Sequence, residues 1–139
     1  MRRSSRHLHL CVLLLIVTGC GLGPEIAKKT HPDPVRIFRE HEVELRDYVR
    51  RINAGQVQEN DRGYALPQFL IDDGAKEIKK KDGCIVIVFN FLPTDAVPEL
   101  LYCERGFNPL PAELAERKKL AFFRWELLAP DWGFCKWDQ

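Results

Sequence analysis

Apolar positions along this chain change period several times, and each change marks an element. Leu8 to Val17, apolar but for His9, form a hydrophobic run behind Arg2, Arg3 and Arg6. Further on, Val35, Phe38, Leu45, Tyr48, Val49 and Ile52 recur at helical spacing, with Arg36, Arg39, Glu40, Glu44, Arg46 and Arg50 between them. Asp33 suits an N-cap, Pro34 the first helical position, and Asn53-Ala54-Gly55 a helix end. The spacing predicts one amphipathic helix of about five turns. Its single apolar stripe needs another layer to cover it.

After that helix the period shortens. Gln56 to Gly63 is polar and reads as a loop. Leu66 to Leu70 predicts a short helix, with Pro67 at its first position and Gly74 past its end; a strand is the rival, weakened by Pro67. Glu77 to Lys80, a Lys81-Asp82-Gly83 turn and Cys84 to Phe91 form a hairpin pattern. Ile85-Val86-Ile87-Val88 is the strongest strand signal in the chain. Glu99 to Glu104 follows as another strand, and Ala112 to Lys118 as one helical turn or two. Leu120 to Leu128 and Trp132 to Trp137 are joined by Ala129-Pro130-Asp131. The expected fold is α+β: one long N-terminal amphipathic helix packed on an antiparallel β-meander of four to five strands, in two layers.

The first apolar run has a different meaning. Spanning a bilayer takes about 20 mostly apolar residues, and this run ends short of that. A basic segment followed by such a run is how a secretory leader reads. Val17-Thr18-Gly19-Cys20 closes it and resembles the lipobox of bacterial lipoproteins. The resemblance implies cleavage before Cys20, acylation of Cys20 and a domain tethered outside the cytoplasm. Residues 1–19 are then the signal peptide, 20–33 a tether and 34–139 a single domain. An ordinary cleaved signal would also use Gly19. It leaves unexplained a cysteine at the first mature position, followed by Gly21-Leu22-Gly23-Pro24. One acyl chain holds a membrane only marginally, and the resemblance implies more than one. Gly21 is not the aspartate that favours inner-membrane retention in enterobacterial lipoproteins. The resemblance therefore points to the outer membrane in a host that has one.

Charge narrows the partners. The chain carries 21 Lys+Arg and 20 Asp+Glu. Loss of Arg2, Arg3 and Arg6 with the leader leaves 18 basic against 20 acidic groups, a net charge of −2. Phosphate binding needs a basic surface, so nucleic acid is not an expected partner. Lys79-Lys80-Lys81 suits a solvated hairpin tip better than an anionic-lipid site.

Cys84, Cys103 and Cys135 belong to the mature domain, and an oxidising compartment calls for a disulfide. If Phe89 opposes Pro98 across the turn, strand register places Cys84 opposite Cys103. A register slip of one residue favours Cys103–Cys135 instead.

Chemistry-bearing groups are few. His31 and His41 are the only mature histidines. His41, near Glu40, Glu42 and Glu44, reads as solvated because no metal-ligand spacing accompanies it. Asp72-Asp73-Gly74 suits a helix end or turn. Ser4 and Ser5 leave with the leader, so no mature serine remains to act as a nucleophile. The expectation is a non-catalytic domain without metal or cofactor.

Aromatics crowd the last strands. Alternation puts Phe123, Trp125 and Trp137 on one face and Phe122, Trp132 and Phe134 on the other. A helix covers only one face. Phe122, Trp132 and Phe134 are taken as the candidate contact surface. The expected function is an accessory or protein-interaction module of the cell envelope, held to the membrane by its lipid and meeting an envelope protein. The alternative is an inhibitor or small-ligand- or glycan-binding lipoprotein.

Overall fold

The structure is a computed structural model and describes residues 31–89 and 97–137. Residues 1–30, where the signal peptide, Cys20 and most of the tether are expected, and Phe91 lie outside the described residues.

Helix α1 spans Pro34–Asn53. The Asp33 side chain accepts hydrogen bonds from the Val35 and Arg36 amides, at 3.1 and 3.2 Å, as an N-cap should. At the other end Gly55 takes a positive φ of 70°. Ile37, Phe38, Leu45, Tyr48, Val49 and Ile52 are buried along one stripe. The expected periodicity is present, with one interruption. His41 leaves helical geometry (φ −124°, ψ 24°), and the helix bends there.

The segment expected as a loop holds two short strands, β1 (Glu59–Asn60) and β2 (Gly63–Tyr64). Asn60 Oδ1 accepts from the Arg62 amide at 2.8 Å and closes the turn between them. Helix α2 (Gln68–Asp72) follows, with Pro67 at the cap and Gly74 at φ 87° beyond it. The helical reading wins over the strand.

Strands β3 (Ala75–Lys81) and β4 (Cys84–Phe89) form the expected hairpin. Asp82 and Gly83 both have positive φ, 53° and 79°. That is the type I′ turn whose twist suits a two-residue hairpin. Strand β5 (Glu99–Cys103) pairs with β4, Cys84 facing Cys103, and the Phe89 amide donates to Pro98 at 3.0 Å.

From here the chain departs from a meander. The connection 104–122, carrying α3 (Ala112–Arg117), crosses the sheet before β6 (Phe123–Ala129) begins. Strand β7 (Trp132–Trp137) turns back into the gap between β5 and β6. Among the described residues the sheet has seven strands, not four to five, all pairs antiparallel, in the order β1-β2-β3-β4-β5-β7-β6.

The layer count also changes. On one sheet face α1 packs against Ile85, Ile87, Phe89, Leu100, Trp132 and Phe134. On the other, Phe107, Leu110 and Leu114 from the connection cover Val86, Val88, Leu101 and Cys135. The connection supplies a thin third layer where two were expected. Sequence alternation separates the faces but carries no information on which cover each receives.

Candidate functional site

Four places concentrate chemistry or exposed apolar surface. The first is the bridge: Cys84 and Cys103 form a disulfide with a Cα–Cα distance of 4.4 Å. Register made this pairing, as the Phe89–Pro98 argument required. The rival Cys103–Cys135 bridge fails on geometry. Cys135 pairs with Glu99, four residues along β5 from Cys103, which is about 13 Å of strand.

The second is a cleft of about 120 Å³ between α3 and the sheet, lined in part by Lys81, Glu99, Leu101, Glu113, Leu114 and Arg117. Glu113 on α3 takes Lys81 at 2.6 Å and also pairs with Arg117. Arg117 in turn lies 3.5 Å from Glu99. The Lys81 hydrogen bond, helped by Arg117, holds the Glu113 carboxyl below the usual carboxylate range. These charges clasp α3 to the hairpin and satisfy one another.

Glu99, which lines the cleft, also accepts a hydrogen bond at its Oε2 from the buried Cys135 thiol, at 3.4 Å. Burial pushes this thiol above its ordinary value of 9.0, and the Glu99 charge pushes the same way. The thiolate is the nucleophilic form, so Cys135 is inert in the fold. Alkylation of the native protein at pH 8 is expected to leave Cys135 unmodified, and denaturant to expose it fully. Intact mass before and after denaturation checks this, and native labelling would show that the strand opens. The fold favours the neutral thiol. Its contribution to stability is present below the unfolded thiol's pKa and is lost as pH rises from there towards the folded one.

The third place was missed by sequence reasoning. Asp73, 4% exposed, receives Arg36 Nη2 at 3.2 Å and lies 3.5 Å from His41 Nε2. The His41 ring sits 4.8 Å from Phe69, and its Nδ1 is 3.8 Å from Glu44. His41 is therefore a half-buried group at the helix bend, not the solvated one expected. A signal was present only in hindsight: Asp73 comes 37 residues after Arg36, and no local pattern links them. Among the described residues no group of three or more His, Cys, Asp or Glu is arranged to hold a metal.

The fourth is the end of the sheet, and it replaces the contact surface expected there. Trp132 is fully buried, with its ring 5.4 Å from Phe38 and 5.3 Å from Tyr102; Phe134 is buried beside it. Neither can meet a partner. Alternation had separated the two faces correctly, but α1 covers the face carrying Trp132 and Phe134. Phe122 lies in the approach to β6 and is 68% exposed. Leu120 and Leu127, at 50% and 56%, are exposed on the same strand and its approach. Trp125 lies over Gly133, where an added Cβ would come within 1.9 Å of the ring, and meets Phe107 at a tilt of 56° with ring centroids 4.8 Å apart. Comparison with protein-family models, with curated proteins and with solved structures returns no match to this chain.

Proposed function

We propose that this chain is a lipoprotein of the bacterial cell envelope, anchored through acylated Cys20, whose folded domain is a non-catalytic interaction module. It meets an envelope protein through the side of the sheet formed by β6. The leader ending in Val17-Thr18-Gly19-Cys20 supports the anchor and the address, and Gly21 favours the outer membrane. One observation carries the module reading. Leu120, Phe122 and Leu127 are three of the six exposed large hydrophobics among the described residues, and all flank one terminal strand. Apolar groups gathered at a strand edge mark a contact site or an aggregation hazard.

The glycan- or ligand-binding alternative has less to stand on. The cleft under α3 holds about 120 Å³, below the roughly 300–1,000 Å³ of small-molecule pockets. Its charges are also already paired.

Two variants test the proposal. Cys20→Ser is expected to abolish palmitate labelling and release the protein from the membrane fraction. A photo-crosslinking residue at position 122 in native membranes is expected to join the chain to a protein, with the yield falling sharply when Leu127→Ala is added. Membrane retention of Cys20→Ser would sink the anchor. A position-122 probe that captures no protein would sink the contact surface.

A further inference from the structure

Strand β6 ends the sheet, and among the described residues it has a strand neighbour on one side only. Backbone parity says which groups line the other side. Cys84 and Cys103, at 4.4 Å between Cα atoms, have the spacing of a non-hydrogen-bonded antiparallel pair. Pro98, Leu100 and Tyr102 then bond towards β4, and Glu99, Leu101 and Cys103 towards β7. The Phe89 amide on Pro98 and the Cys103 amide on Asp131, each at 3.0 Å, agree. Carried across β7, the alternation bonds Phe134 to Glu126 and Lys136 to Arg124. Phe123, Trp125 and Leu127 are left with their amides and carbonyls turned to the open edge. The Phe123 amide is taken by Leu120 at 3.1 Å.

Side chains alternate on the same strand. Arg124 and Glu126 stand on the α1 face, 54% and 38% exposed and 3.6 Å apart. A bulge between Leu127 and Ala129 ends the regular stretch. The pairable segment is thus Phe123 to Leu127, and Trp125 is its centre.

We propose that β6 pairs antiparallel with β6 of a second copy of this chain, about a two-fold axis through Trp125. The inference rests on reading this side of the sheet as the contact surface and names the partner met there. In that register Trp125 exchanges both backbone bonds with its mate, and each Leu127 amide reaches a Phe123 carbonyl. Arg124 lies opposite the mate's Glu126, and the symmetry repeats the pair, as a self-complementary two-fold interface requires. Phe123 and Leu127 meet on the other face. Parity allows neighbouring axes through Phe123, Arg124, Glu126 or Leu127. An axis through Arg124 or Glu126 sets that charge against its own copy. The Phe123 axis sets Arg124 against Phe122 and Glu126 against Leu120; the Leu127 axis sets Glu126 against Leu128. Only the Trp125 axis matches both charges. A protected edge usually carries charges that repel its own copy, whereas these attract it.

The test uses the full chain, extracted in mild detergent, with native mass spectrometry and sedimentation velocity. The wild type is expected to form a dimer. Arg124→Glu and Glu126→Arg each set like charges opposite twice and are expected to weaken the homodimer by about ten-fold or more. Mixed together, the two variants form a heterodimer, one strand carrying two glutamates and the other two arginines. The double swap Arg124→Glu/Glu126→Arg restores the homodimer. Arg124 is exposed and Glu126 half-exposed, so melting temperatures compared at dilutions where every protein is monomeric stay at the wild-type value and folding defects are separable. A monomeric wild type, or single reversals that dimerise unchanged, overturns the self-pairing. If the position-122 probe then captures a different envelope protein, the self-pairing alone falls. If it captures nothing, the contact surface falls with it.

Discussion

Trp132→Ala is expected to lower the stability of the domain by about 3–5 kcal/mol, the cost of removing a large aromatic from a packed core. The side chain is fully buried between α1 and the sheet, touching Phe38 on one side and Tyr102 on the other. Tyr102 is its neighbour on β5, so the ring joins helix, β5 and β7 at one point. Alanine leaves a cavity that three elements line and none can fill alone. Trp132→Phe separates volume from polarity. Among the described residues the indole Nε1 is buried without a hydrogen-bond acceptor, and such a donor costs about 1–3 kcal/mol. Phenylalanine removes that donor and keeps most of the ring, so its net loss is expected to be less than half that of alanine. Urea unfolding of the three proteins, with slopes compared, measures both numbers. A Trp132→Ala loss under about 1 kcal/mol would mean that α1 is not seated on this ring.

That expectation also marks where sequence reasoning stops. Alternation in 122–137 sorted Trp132 and Phe134 from Phe123, Trp125 and Trp137 correctly. It could not say which set lay under α1, because both faces are apolar. The deciding information sits in the connection 104–122, where Phe107, Leu110 and Leu114 form a second cover. Their spacing of three and four residues was the available signal, hidden by a stretch too short to show a helical period. The order of β6 and β7 was equally out of reach. A hairpin docks by either strand, and only the crossing connection puts β7 inside.

Where local chemistry decides, the reading held. Asp33 and Pro34 set the helix start, and Asp82-Gly83 demands the hairpin turn. A register counted from Phe89 opposite Pro98 placed Cys84 against Cys103. The Arg36–Asp73–His41 group shows the opposite case. Its members meet only after α2 folds back on α1, so burial of Asp73 follows from the tertiary structure and from nothing nearby in the chain.

Replacing Cys84 and Cys103 together by alanine is expected to cost about 3 kcal/mol, because the bridge closes a loop whose ends are 19 residues apart and removes that entropy from the unfolded chain. The folded state needs little from the bridge. Cys84 and Cys103 are already opposite each other in a ladder running from Cys84–Cys103 to Val88–Glu99. Reductant should therefore lower the wild-type melting temperature and leave the double variant's unchanged, while reduced wild type and double variant melt together. Single replacement separates bridge from thiol. Cys84→Ala frees Cys103, but β-sheet register holds Cys135 about 13 Å away along the strand, so no new bridge forms until the sheet opens. Denaturant curves under oxidising and reducing conditions distinguish these states. A bridge that contributes under 1 kcal/mol would mean that the unfolded chain already keeps β4 and β5 together, the hairpin register persisting where the rest of the sheet is lost.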